Sequence, residues 1–452
     1  MKMPRIMLAA PSSGSGKTLI TCGILQALVN RKIKVSSFKC GPDFIDPMFH
    51  EKVIGTRSGN IDMFMAGRDN AGYLFHRSAK GSDISVVEGV MGFYDGMSIA
   101  STEASSYDVS SEFGIPVILV VNGRGASASI LPMIKGFLEF RKNNIKGVIL
   151  NNTTEKVYNG LKSAIEKELG IVAIGYVPKV NELVIESRHM GLVMPHEVDR
   201  LKEKLNDLSK ILEKTLDIDA MIRIAGAAPD ISFKAPKLPR GKIKVKIGVA
   251  ADECFCFLYK DNIALLEELG AEIVHFSPLR DKELPGGIGG IIIPGGYPEL
   301  YAESLSKNVS MLRSINESVA SGMPCMAEGG GFLYLHDELE DVSGKYCRMA
   351  CVIKGKAFRT PKISKFGYTT MIAKNNGIME KGTAVRGHEF HYWESTSCGN
   401  DCEGTKTSGT KIECMHNGKN ILAGFPHLFY YSNPSVAHRF LGECKAYSDR
   451  SE

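Results

Sequence analysis

Tryptophan occurs once in 452 residues, and no apolar run comes near the roughly 18 residues that a membrane span requires. No membrane segment is expected. A dominant charge is missing too: 55 Lys and Arg against 50 Asp and Glu leave a net charge of +5, with the basic residues spread along the chain. Nucleic-acid binding, which asks for a basic stripe or arm, gains no support. A mild positive excess suits solubility, or a small polyanionic substrate. The opening MKMPRIMLAAP runs straight into a glycine-rich loop, without the separate apolar region and cleavage site of a signal peptide, so a cytoplasmic protein is expected. The 11 cysteines, odd in number and scattered over both halves, fit reduced thiols better than a disulfide framework. Cys347 with Cys351 and Cys398 with Cys402 have wider gaps than zinc ribbons favour, so thiols rather than a metal site are expected there.

What is present is a rhythm. The runs RIMLAAP, KVSSFKC, ISVVEGV, PVILVVN, KGVILNN and VAIGYVP are nearly continuous in apolar residues and alternate with longer helical patterns. Such strands imply a parallel sheet covered on both faces. GAAPDISFKAPKLPRGK, residues 226–242, holds three prolines and neither periodicity, and reads as a linker over 226–243. The rhythm restarts with KVKIGVA, DNIALLEELG, AEIVHFSP and GGIIIPGG. The fold class is therefore α/β, with one domain over 1–225 and a second over 244–452.

APSSGSGKT, residues 10–18, lies between the first strand and the helical TLITCGILQALV, the setting that a phosphate loop needs. Backbone N–H groups of Ser13, Gly14, Ser15 and Gly16 can wrap phosphate oxygens at a helix N-terminus. Lys17 would reach the β and γ phosphates of ATP, and the Thr18 hydroxyl would bind Mg²⁺. Pro11 stands where the strict pattern has glycine, so this is a variant loop. In KCGPDFIDPMFH, residues 39–50, Asp43 and Asp46 are held by the rigid rings of Pro42 and Pro47; an acidic turn is the plainer alternative. VVEGVMGFYDG places Glu88 at the end of a buried strand, where a carboxylate can hold Mg²⁺ and order a substrate carboxylate; Asp95 is a weaker candidate.

These motifs, with GNID at 59–62 and ESRHMGLV at 186–193, resemble the cobyrinate a,c-diamide synthases, whose N-terminal domain is similar to dethiobiotin synthetase. DECFCFLYKDN, FSPLRD, GGYPELYAESLSKN, SKFGY and RGHEFHYWES extend the resemblance over nearly the whole chain. It implies two doubly wound domains, a P-loop domain and a class I glutamine amidotransferase-like domain. It also implies ATP-dependent amidation of two acetate side chains of a corrin ring through an acyl phosphate. Lys39, by analogy with dethiobiotin synthetase, would neutralise the transferring phosphoryl group, unless it is simply paired with an Asp. A homodimer is a further implication.

In the second domain the resemblance implies a cysteine on a tight turn, activated by a histidine, with backbone amides as the oxyanion hole. FPHLFYYSNP puts His427 in the histidine role, with Phe429 where the family often has a second His. AEGGGFLYL puts Gly329 where the nucleophile belongs. Glycine keeps the turn and cannot attack an amide. Cys325, in the approaching strand, is read as structural. GGYPE, residues 295–299, is read as a former oxyanion loop, and His388 and His391 as residues that order their loop rather than touch substrate. Three accounts stay open: a fold-preserving remnant beside a synthetase that uses free ammonia, which is favoured; ammonia from a separate glutaminase; or an engineered or erroneous change. Nickel sirohydrochlorin is the alternative tetrapyrrole, hydrogenobyrinate a third, and a non-catalytic nucleotide-binding protein the alternative of a different class.

Overall fold

The computed structural model describes residues 3–180 and 195–451. The motif ESRHMGLV, residues 186–193, lies outside them. Internal contacts divide the chain into two compact units: 1–63 with 67–235, and 236–452 with 64–66.

The first unit is built on seven parallel strands: β1 (Arg5–Ala9), β2 (Val35–Cys40), β3 (Arg57–Ile61), β4 (Ile84–Glu88), β5 (Val117–Asn122), β6 (Ile145–Asn151) and β7 (Val172–Val177), in spatial order β3-β2-β4-β1-β5-β6-β7. Every residue of β1, β2 and β4 is buried, so these stretches lack the alternation of a half-exposed strand, and their few polar residues are buried as well. Leu8, Ile24, Val86, Ile118, Ile149 and Leu208 share one core, which seats the helix α1 (Lys17–Asn30) on the sheet. β1, β2 and β4 all end at the same edge. In open sheets of this kind, ligands bind beyond the carboxyl ends of the strands.

Residues 228–244, a stretch without helix or strand, lead into the first strand of the second unit. Its main sheet carries β8 (Val245–Ala250), β9 (Ala271–Phe276), β10 (Gly290–Ile293) and β11 (Cys325–Glu328). The spatial order is His416–Asn417, Ile421–Gly424, β11, β10, β8, β9, parallel except for the edge pair. Two further sheets, of four and five strands and largely antiparallel, fill much of 336–428. The α/β rhythm does not announce them. Their strands are half-exposed and mix charged with apolar residues, as in KFGYTTMIA with its alternating burial.

Candidate functional site

The chemistry of the first unit gathers where β1, β2 and β4 end. Gly14 and Gly16 adopt φ of +77° and +89°, the left-handed region that lets successive amides turn inward. Ser15 Oγ donates to Ser12 O at 2.9 Å and closes the loop on itself. Lys17, buried at the start of α1, donates from Nζ to the carbonyl of Met91, which itself holds a φ of +46°. Thr18 Oγ1 donates to Glu88 Oε1 at 2.6 Å. Ser13 is exposed and makes no side-chain hydrogen bond among the described residues.

Lys39 sits between two carboxylates, with Nζ 2.5 Å from Asp46 Oδ2 and 2.8 Å from Glu88 Oε1. Burial pulls this ammonium down, but Glu88, Asp46 and Asp43 outweigh burial and hold it above the ordinary lysine range. Lys17 is shifted the other way, down, by burial and then by Lys39, against Glu88 and Asp95. Asp46 and Asp43 are both pushed up, first by burial and then by their acidic neighbours, with Lys39 opposing. Asp43 Oδ1 accepts from Ile45 N at 2.7 Å, and Asn60 Nδ2 braces the same loop by donating to the carbonyls of Gly41 and Asp43. Asp95 Oδ2 accepts from Gly92 N at 2.8 Å, so it shapes the turn next to Lys17.

Thr18, Asp43 and Glu88 offer a hydroxyl and carboxylate oxygens, and the buried Glu88 Oε2 has no hydrogen-bond partner among the described residues. A hard cation such as Mg²⁺, which takes few carboxylates plus phosphate oxygens, fits that donor set.

Two contributors are given no role by the motifs, although His50 closes the stretch 39–50. Asn151, the last residue of β6, donates from Nδ2 to Ser15 O at 2.9 Å and ties the phosphate loop to the sheet. His50 is fully buried beside Glu88, with Nε2 3.7 Å from Glu88 Oε2. The only sequence signal for either is a polar residue where a buried apolar one would do.

The second unit repeats the arrangement of strand ends. β11 runs out into Gly329, whose φ of +49° and ψ of −114° form a strained elbow entering the helix Gly330–Tyr334. Gly329 N donates to Gly424 O at 2.9 Å, across to the strand that leads to His427. The loop after β10 carries Gly295 and Gly296; an added Cβ on Gly330 would stand 2.9 Å from Gly296 N, so the Gly296 backbone lies against the elbow. Burial pushes His427 down to about 4, with His391 adding to the effect, so its imidazole is neutral at ordinary pH. Glu328 Oε2 is 3.8 Å from His427 Nδ1, and burial raises that carboxyl to about 8. Glu299 of GGYPE is also buried and raised, to about 7.

His388 pairs with His427 across neighbouring antiparallel strands, their ring centroids 5.4 Å apart, and shares a 3.2 Å contact with Tyr259 Oη. His391 stacks on Phe425 at 3.8 Å. Asn262 clamps the histidine's strand by donating to Leu428 O and accepting from Tyr430 N, both at 2.8 Å. Cys325 is fully buried at the start of β11, and burial drives its thiol up to about 12, far from a reactive thiolate. Among the described residues no helix is long and apolar enough to cross a membrane.

Residues 6–193 match the CobQ/CobB/MinD/ParA nucleotide binding domain, and residues 246–434 match the CobB/CobQ-like glutamine amidotransferase domain. The chain is 38% identical over 447 residues to the cobyrinate a,c-diamide synthase of Caldanaerobacter subterraneus subsp. tengcongensis, with 98% of each chain covered. It is 40% identical over 454 residues to that of Picrophilus torridus, covering 98% of this chain and 99% of the relative. With that of Clostridium tetani it shares 41% identity over 392 residues, 86% of this chain and 87% of the relative.

Proposed function

The chain belongs to the cobyrinate a,c-diamide synthase family, and from that membership we propose that it amidates the a and c acetate side chains of cobyrinate in an ATP- and Mg²⁺-dependent reaction of cobalamin biosynthesis. A carboxylate is a poor electrophile and must first be activated. An acetate oxygen attacks the γ phosphorus of ATP, the bond to the ADP oxygen breaks, and an acyl phosphate forms. Ammonia then attacks the acyl carbon, the carbon–oxygen bond to phosphate breaks, and the nitrogen gives up a proton to leave the amide. Catalysis of the first step is mostly positioning and charge neutralisation.

Lys17 and the loop amides of Ser13, Gly14, Ser15 and Gly16 serve the phosphates, and Thr18, Asp43 and Glu88 the metal, which when bound supplies charge neutralisation. Asp46 orders the acetate, and Lys39 meets the transferring phosphoryl group from its place between Asp46 and Glu88. One observation carries the reading: Thr18, Lys39, Asp46 and Glu88 are joined by hydrogen bonds and ion pairs at three neighbouring strand ends.

The nitrogen donor is free ammonia, because Gly329 brings no nucleophile to an elbow that otherwise keeps its histidine. The test is amidation of cobyrinate with ATP and Mg²⁺, with glutamine or ammonium as the only nitrogen source. Product with ammonium alone is expected. Product from glutamine at a similar rate would overturn the ammonia assignment, and turnover only with nickel sirohydrochlorin would overturn the substrate.

A further inference from the structure

Asp46 and His50 stand four residues apart, so one helical face carries both toward Lys39 and Glu88. The short helix Ile45–Phe49 continues at His50 into a π-helical turn ending at Ile54. The His50 carbonyl fixes that turn by accepting from Gly55 N at 3.0 Å and from Thr56 N and Thr56 Oγ1, both at 3.2 Å. Such turns re-aim a side chain and recur at functional sites.

The side chain so aimed is not an ordinary core histidine. It is fully buried, and neither ring nitrogen has a hydrogen-bond partner among the described residues. Buried polar groups nearly always find partners, so a buried imidazole with two open positions needs an explanation. Glu88 supplies a matching feature. Its Oε1 takes both Thr18 Oγ1 and Lys39 Nζ, while its Oε2, 3.7 Å from His50 Nε2, takes none. A carboxylate gripped by one oxygen can still turn its plane. A donor on the second oxygen would fix that plane, and with it the direction in which Oε1 faces Thr18 and a metal.

We propose that His50 is a positioning residue that orients Glu88 by donating from Nε2 to Glu88 Oε2, and so sets the carboxylate for Mg²⁺ and phosphoryl transfer. The 3.7 Å separation is longer than a hydrogen bond, and contacts of this kind tighten as the substrate complex forms. A neutral imidazole does this without adding charge beside Lys39, since it donates at one nitrogen and accepts at the other. The metal role of Glu88 on which this rests comes from the amidation reading above.

The experiment compares the full chain with His50→Leu, which keeps bulk without a donor, and His50→Gln, whose amide can reach as Nε2 does. Two quantities are read: Mg²⁺ half-saturation of ATP binding at equilibrium, with a fluorescent ATP analogue as probe, and kcat for ammonium-dependent amidation. His50→Leu should weaken Mg²⁺ dependence and kcat by roughly 10- to 100-fold, the usual loss when a metal ligand loses its orienting partner, with the KM for ammonium unmoved. His50→Gln should recover most of both. Unchanged Mg²⁺ half-saturation in His50→Leu overturns the proposal, as does a fall in melting temperature shared by both variants with no recovery by Gln. If the wild type amidates no tetrapyrrole, the amidation reading fails, and the equilibrium titration still decides the role of His50.

Discussion

A Cβ built on Gly329 would stand 2.7 Å from His427 Nε2 and 2.8 Å from its Cε1, so the imidazole occupies the approach that a nucleophile's side chain would take. The elbow carries no side chain at its apex. Its φ of +49°, the Gly296 backbone against it and the histidine on the next strand end all persist. Gly329→Cys should therefore give glutamine-dependent amidation, but only after the His427 ring swings back. Left-handed backbone and crowding together should lower stability by roughly 2–4 kcal/mol. Gly329→Ala should lose similar stability and gain no glutaminase activity. Melting curves and glutamine hydrolysis on both variants check this, and a Cys variant that is well folded yet inert toward glutamine would count against it.

Glu328 gives the fold a pH dependence whose sign is fixed. Burial raises its carboxyl from 4.5 to about 8, so the folded chain holds this proton more tightly than the unfolded chain. Stability from this group is intact below the unfolded value, declines as pH climbs through the window, and is fully lost above about 8. The penalty at alkaline pH is on the order of 5 kcal/mol. Glu328→Gln carries no such titration, so its melting temperature should gain on the wild type between pH 5 and 8.5. Glu299, raised in the same direction, is present in both proteins and cancels from the difference. A difference that stays flat with pH would show that Glu328 titrates normally.

Lys39 is the only described cation in direct contact with the buried Glu88. Removing one member of a buried ion pair strands the other, at about 3–5 kcal/mol. Lys39→Met should therefore unfold several degrees early and lose amidation. The double variant Lys39→Met/Glu88→Gln should recover much of the stability while staying inactive, because the proposed reaction uses both groups. Thermal denaturation beside ammonium-dependent turnover separates the two effects. A double variant as unstable as the single one would mean that Lys39 acts on the fold through something other than Glu88.

The parts of the molecule legible in the sequence are those where one residue type is physically required. Gly14 and Gly16 must turn left-handed, Lys17 must follow them, and unbroken Val and Ile runs must lie inside a parallel sheet. Gly329 belongs here too, as a change of side chain on a backbone that glycine tolerates. Asn151, Asn262 and His50 could not be read this way, since each acts across 100 residues or more, or through a side-chain direction that only the fold sets. The antiparallel sheets between 336 and 428 stayed hidden because half-exposed strands dilute the apolar signal. Glu328 carries no mark in the sequence of its place next to His427, which only the fold sets.

Asn151 offers the last test, because it couples the phosphate loop to a strand distant in sequence. Its Nδ2 donates to Ser15 O at 2.9 Å, and its Oδ1 accepts from Asn152 N at 2.9 Å, so the amide is oriented at both ends. The same amide lies where a side chain on Gly16 would go, since a Cβ there would meet Nδ2 at 2.3 Å. Losing the bond to Ser15 should release the loop without touching the acidic cluster. Asn151→Ala should raise the KM for ATP about tenfold, as expected for one buried hydrogen bond of roughly 1–1.5 kcal/mol, with kcat at saturating ATP nearly kept. Gly16→Ala should be worse, because its φ of +89° disfavours any side chain and the Asn151 amide blocks it as well. Combining the two should relieve the collision and leave the backbone strain, so the double variant should bind ATP better than Gly16→Ala alone and worse than Asn151→Ala. Purely additive losses would mean that Asn151 and Gly16 do not share the space the structure assigns to them.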